Sequence, residues 1–539
     1  MARRRLEVGR GVTPADLVFV GGRIHTLDPG RPTAEAVAVR ADRIVAVGRR
    51  DDVLADRGSR TEVVELGSRA LLPGFYDAHQ HQLYAGLARA HVDARAPSIE
   101  ELVARLRERA GARPAGAWIE ASGYDDMRFV EHRHPTRADL DRASIEHPIV
   151  VTRTCGHVMA LNSLALATAG IDGSTVDPDG GRIDRGDAGE PTGILRERAM
   201  ELVRRTLIEP DDAALEAAIL DAAAVNLRLG ITSVWEPSIE PRHIAVYERL
   251  EAEGRLPLRV TMAQKKVLRS GERVELQGPF RGERLSLVGV KLFQDGALAP
   301  RTAALSEGYD GEPENRGLLY WSQQELDELT AEAHRGGFQV SIHAIGDAAI
   351  ASALEAISRA SAAGGAAPRH RIEHCGLALP HLHERLREVG ITAVVQPSFI
   401  HFHGDVYAAN VGPVRARWLY PIRTLLALCR GVAGSSDAPV IPDHNPASGI
   451  ATAMARRSAS GATVAPEEKV AFQEALRLYT TGPAFAAAEE ASKGTLAAGK
   501  LADVVVLADD PARVASSELP SLPVEMTYVG GRLAWSREV

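Results

Sequence analysis

From Gly230 to Ser435 the chain repeats one unit, a short apolar run followed by an amphipathic helical stretch. The strand candidates are Ile231–Trp235, Leu258–Met262, Val288–Phe293, Phe338–His343, His370–His374, Ile391–Gln396 and Gly431–Ser435; Leu72–Phe75 upstream makes eight. Helix starts such as Ser322-x-x-Glu325 and stops such as Gly336-Gly337 punctuate them. Strands alternating with helices are the mark of βα units. Eight units predict an α/β fold, a (β/α)₈ TIM barrel whose chemistry sits at the carboxyl ends of its strands.

The flanks read differently. Val18-Phe19-Val20-Gly21-Gly22-Arg23-Ile24 has a Gly-Gly turn signal between β-formers and predicts a hairpin. Ala36–Val39 and Ile44–Val47 around the turn Arg40–Arg43 predict a second. Leu501–Leu507 and Val529-Gly530-Gly531-Arg532-Leu533 repeat the theme at the other end. One small β-sandwich domain built from both termini (1–70 and 492–539) is expected beside a barrel domain (71–491). A long stretch after the first strand, about 96–228, reads as a mostly helical insertion, with a capping start at Ser98-Ile99-Glu100-Glu101.

Chemistry-bearing residues cluster at the expected strand ends. An apolar run leads into Asp77-Ala78-His79-Gln80-His81. On a strand, i and i+2 share a face, which would set two imidazoles side by side for one metal ion. Later strands end in His343 and in Arg371-Ile372-Glu373-His374, and Asp437 follows the last. Lys291 stands inside an apolar strand, where an ordinary ammonium is costly to bury. A histidine ending a strand is usually just a hydrogen-bonded polar group; four histidines and an aspartate at the same end of one barrel argue for a site.

Net charge of −8 without a long basic run argues against a nucleic-acid partner. Three scattered cysteines make no disulfide framework, which fits a reducing cytoplasm. Arg3-Arg4-Arg5 resembles the start of a signal, but no apolar core follows before Val12. No run approaches the roughly 20 apolar residues of a membrane span. A cytoplasmic protein with a small-molecule substrate and no membrane partner is expected, as a homo-oligomer, a dimer.

The motifs resemble those of the metal-dependent amidohydrolase superfamily nearly end to end: Pro73-Gly74-Phe75-x-Asp77-Ala78-His79-x-His81, Gly230-Ile231-Thr232-Ser233, Val290-Lys291-Leu292-Phe293-x-Asp295-Gly296, His343-Ala344-Ile345-Gly346-Asp347, Ile372-Glu373-His374, Ser436-Asp437-Ala438-Pro439 and Gly494–Asp503. With Gly156-His157 and Asn162-Ser163 in the insertion, the chain looks most like the branch of N-substituted formamide deformylases (amidohydrolase family 3). The resemblance implies that His79, His81, His343, His374 and Asp437 bind metal, and that Lys291 is carboxylated and bridges two ions; its alternative is an unmodified lysine paired with Asp295. One or two ions are implied, zinc first by donor type, manganese or iron next. A zinc-type ion activates water near neutral pH and polarises a carbonyl, with Asp437 as the catalytic proton carrier to the leaving nitrogen. Tyr124, His157 and Arg301 are candidate substrate contacts, each with an equally plain structural role open to it. His401 and His403 read as a solvated loop. Glu236 replaces an aspartate common in relatives and is expected to alter the pocket floor. The reaction implied is hydrolysis of a non-peptide C–N bond, an amide or N-formyl group; the alternatives are a deaminase and a non-catalytic scaffold relative.

Overall fold

The barrel closes around eight parallel strands: Phe75–Asp77, Ile231–Ile239, Arg259–Lys265, Leu285–Phe293, Gln339–Ala344, Arg371–His374, Thr392–Val395 and Gly431–Gly434. The last meets the first through the Ala78 N–H and the Gly434 carbonyl, 3.2 Å apart. The computed structural model describes residues 14–55, 57–207, 210–267, 272–364 and 368–537; Arg3-Arg4-Arg5 and Val12 lie outside them. Among the described residues no helix is long and apolar enough to cross a membrane.

Alternation along the strands sorts side chains to the two faces. Val290, Leu292, Val340, Ile342 and Ile372 pack outward into the layer under the helices. The residues between them, Lys291, Ser341, His343, Arg371 and Glu373, therefore face the barrel interior. Below them Tyr76, Trp235, Ala263 and Val288 make an apolar floor. Gly289 is required there, since a Cβ would meet Ala263 and Trp235 at 2.7 and 2.8 Å. The Arg371 guanidinium lies 4.1 Å over the Trp235 ring and roofs that floor.

The first strand differs from its sequence reading. Ala70–Pro73 pairs antiparallel with Val504–Leu507 in the terminal sheet, and the barrel strand begins only at Phe75. A single apolar run thus serves two sheets, with Gly74 between them. The terminal sheet combines Ala15–Asp28, Arg31–Arg40, Arg43–Gly48, Arg57–Glu65 and Ala70–Pro73 with Val504–Leu507, Val524–Val529 and Arg532–Ser536. It folds over on itself, so that Phe19 meets Tyr528 edge-on at 5.1 Å across a shared apolar core.

The Gly21-Gly22 hairpin does not form. Ala15–Asp28 runs on as one strand, and both glycines sit at positive φ in a bulge. The bend lets one strand pair with Arg57–Glu65 along its first half and with Ala70–Pro73 along its second. The hairpin at Arg40–Arg43 and the one at Gly530-Gly531 do form.

The insertion is not mostly helical either. It carries a six-stranded mixed sheet, in spatial order Gly181–Arg185, Pro191–Glu197, Val158–Leu161, Ile149–Arg153, Ile119–Tyr124, Val92–Asp93. Helices such as Ile99–Gly111, capped by Ser98, cover it. The Thr154 hydroxyl donates to the Val440 carbonyl at 2.7 Å, which pins this sheet to the loop after the last barrel strand.

Candidate metal centre

His79 and His81 lie just past the end of their strand, in a loop held by backbone bonds to its neighbour. The Asp437 N–H donates to the His79 carbonyl (2.8 Å) and the His81 N–H to the Ala438 carbonyl (2.9 Å). The two rings are edge to face, with centroids 5.3 Å apart, rather than side by side as a regular strand would set them. Buried Asp77 supports this loop, accepting from the N–H groups of His79 and Ser436 and from the Ser436 hydroxyl.

Donor atoms of His79, His374 and Asp437 all lie within 4.8 Å of one another. His81 Nε2 joins them, 3.3 Å from Asp437 Oδ1, the same oxygen that lies 3.3 Å from His79 Nε2. The His343 ring is 4.4 Å from that of His374. His374 and Asp437 both hold positive φ, +71° and +57°, a strained backbone that the surrounding contacts must impose.

Three of the four imidazoles are oriented by an outward nitrogen. His79 Nδ1–H donates to Glu373 Oε2 (2.5 Å), His374 Nδ1–H to Gln396 Oε1 (2.8 Å), and His343 Nε2–H to the Gly296 carbonyl (2.9 Å). The opposite nitrogens are left as acceptors. Burial pulls His374 to about 3, His81 to about 4 and His343 well below the usual range, so all three are neutral, as metal ligands must be. Burial works against the Asp437 carboxylate, but His79, His81 and His374 outweigh it and hold it well below its usual range.

The residues fit a metal ion. Among the described residues His79 Nε2, Lys291 Nζ and Asp437 Oδ1 are buried without a hydrogen-bond partner, as is His81 Nδ1, the ring nitrogen other than the one nearest Asp437. Each such atom costs about 1–3 kcal/mol. A cation would satisfy His79 Nε2 and Asp437 Oδ1 together, and imidazole with carboxylate suits a zinc-type ion.

Lys291 does not pair with Asp295, which instead accepts the N–H groups of Ala304, Ile345 and Gly346 at 2.8–3.0 Å. Its Nζ lies 4.8 Å over the Phe293 ring. Burial lowers it to about 8, against the pull of Glu373 and Asp437.

The other candidates scatter. His157 stands at the mouth, its ring 6.4 Å from that of His343. Tyr124 is buried in the insertion, stacked on Phe129 and bonded to His134. Arg301 pairs with Glu312 (2.6 Å) and donates to Asn410. His401 and His403 are on the helix Ser398–Ala416, not a loop, and His403 is buried between Phe399 and Tyr407. Glu236 holds the Leu83 N–H and the Tyr247 hydroxyl.

Sequence reasoning gave no role to Glu373. It is fully buried and takes bonds from His79, Arg371 and Ser341. The available signal was Arg371 and Glu373 on the same face of an apolar strand, a charged pair that must look inward.

The sequence profile of the amidohydrolase family matches residues 62–534. YtcJ of Bacillus subtilis is 31% identical over 96% of this chain and 99% of its own length. An N-substituted formamide deformylase of Arthrobacter pascens is 30% identical over 97% and 98%. The crystal structure of a metal-dependent hydrolase of Pyrococcus furiosus, 30% identical, superposes with a TM-score of 0.73, covering 92% of this chain and 100% of that one.

Proposed function

This chain belongs to the amidohydrolase family, and from that premise we propose that it hydrolyses a non-peptide C–N bond, an amide or N-formyl group of a small molecule. The observation that carries the reading is the convergence of His79, His374 and the ionised Asp437 carboxylate, with His79 Nε2 and Asp437 Oδ1 buried and without a hydrogen-bond partner among the described residues. His79, His81, His374 and Asp437 would hold one ion, with His343 and Lys291 serving a second. The bound ion supplies a Lewis acid that activates water at neutral pH and polarises a carbonyl; zinc is the first choice and manganese or iron the alternatives.

The chain's own residues do the rest. Glu373 and Gln396 keep the acceptor nitrogens of His79 and His374 turned inward. Trp235 and Arg371 shut the barrel below and exclude water from that side. Asp437, ionised beside two imidazoles, takes the proton of the attacking water and delivers it to the leaving nitrogen. Lys291 is near enough to neutrality for its amine to capture carbon dioxide as a carbamate. That would turn a buried cation into an oxygen ligand. The deformylase relative, matched along nearly its whole length, favours N-formyl amines within the amide class.

The test is a screen of purified, zinc-loaded protein against N-formyl amines, N-acyl amino acids, hydantoins and aminopurines. Formate release from N-formyl amines, abolished by chelation and restored by metal, is the expected result. Ammonia release from aminopurines with no amide cleavage would replace this reading by a deaminase.

A further inference from the structure

Glu197 ends the strand Pro191–Glu197 at φ +50° and ψ −126°. Glycine would sit there without strain, so a glutamate is held at a cost. Its carboxylate is buried. Oε2 accepts from His157 Nδ1 at 2.8 Å and from the Tyr320 hydroxyl at 2.9 Å. The backbone closes the same pairing, the Glu197 N–H donating to the His157 carbonyl at 3.0 Å. Burial works against the carboxylate, but His157 and Tyr320 outweigh it and hold the group at about 2.

An ionised carboxylate only accepts, so the shared proton is on His157 Nδ1. The other nitrogen, Nε2, bonds to nothing among the described residues. Its ring is 6.4 Å from His343, on the side of the insertion pinned to the barrel through Thr154 and Val440. Tyr320 reaches Glu197 from the loop after the fourth barrel strand, so the carboxylate joins insertion and barrel at the mouth.

We propose that Glu197 is a positioning residue that fixes the His157 imidazole with Nε2 facing the barrel mouth, where it hydrogen-bonds the amide group of the substrate. This rests on the amide reading above and adds the residue pair through which the insertion takes part.

The test uses full-length, metal-loaded protein and four forms: wild type, Glu197→Ala, Glu197→Gln and His157→Ala. Glutamine keeps an acceptor oxygen for Nδ1–H and alanine does not. One substrate hydrogen bond is worth about tenfold. Glu197→Ala should therefore lower kcat/KM for N-benzylformamide about tenfold, and weaken acetohydroxamate binding about as much. Glu197→Gln should recover most of both losses, and His157→Ala should match Glu197→Ala. Metal content should be equal in all four. A downfield imidazole proton should be visible by NMR in the wild type and absent from His157→Ala and Glu197→Ala. Wild-type kinetics and affinity in Glu197→Ala, or equal losses in the alanine and glutamine forms, would overturn the proposal. If the wild type releases no formate while acetohydroxamate affinity and the proton follow the expected pattern, the amide reading fails and the positioning role stands.

Discussion

Glu373→Gln probes the group beneath the metal centre with almost no change of shape. Glu373 accepts His79 Nδ1 at 2.5 Å, Arg371 Nε at 2.5 Å and Nη2 at 3.0 Å, and the Ser341 hydroxyl at 2.7 Å, all fully buried. Each carboxylate oxygen faces two donors. A glutamine must turn its NH₂ toward one of those pairs, and it leaves the Arg371 guanidinium buried without a counter-charge. Removing one partner of a buried ion pair costs about 3–5 kcal/mol, a large share of the roughly 5–15 kcal/mol that keeps a domain folded. The second effect is on His79, whose orienting acceptor is weakened. Loss of such support lowers metal affinity about 10–100-fold, or about 1.4–2.7 kcal/mol. Urea unfolding must be run on metal-free protein, because bound metal stabilises the folded form by mass action; chelator competition gives the affinity separately. A loss below about 1 kcal/mol with unchanged metal affinity would show that Glu373 neither balances Arg371 nor orients His79.

Lys291→Ala is expected to lower the metal content of the protein by one ion of two and to remove most activity, with partial recovery in bicarbonate; elemental analysis and rates unchanged from wild type would make the lysine structural. Burial pushes Glu236 up from 4.5 to about 8, so the folded protein keeps a proton there that the unfolded chain releases. Stability contributed by that proton is present below the unfolded value and is lost as pH rises between them. Glu236→Gln should flatten this slope, becoming more stable than wild type at alkaline pH; equal urea midpoints across the window would refute it. Asp503→Asn breaks the bidentate pair with Arg259 (2.7 and 3.0 Å) that fastens the terminal sheet to the barrel, costing about 3–5 kcal/mol in unfolding. Metal content should not change, and a loss of metal at full stability would argue against a purely structural role.

The alternation of apolar strands and helices was legible because it is local: period two and period 3.6 are written within ten or fifteen residues. So were the ends of those strands, where His79, His374 and Asp437 bring donor atoms together, with His81 beside Asp437 and the His343 ring beside that of His374. Caps such as Ser322 and Glu325 read correctly for the same reason, since their bonds span three positions. Gly21-Gly22 misled because a pair of glycines permits a hairpin and a bulge equally, and the choice lies with Arg57–Glu65 and Ala70–Pro73, the strands waiting on either half of Ala15–Asp28.

By itself, then, the sequence determined the order of units and the residue types at each strand end. Only the tertiary structure decided the insertion's sheet, whose strand pairs are chosen by partners rather than by pattern. It also decided that Lys291 Nζ has no hydrogen-bond partner among the described residues, that Arg301 is taken by Glu312, and that Glu373 and Glu197 stand behind His79 and His157. Glu373 is 294 positions from His79 and Glu197 is 40 from His157. Hydrogen bonds act over about 3 Å of space, and no local periodicity records which distant atoms folding brings within that reach.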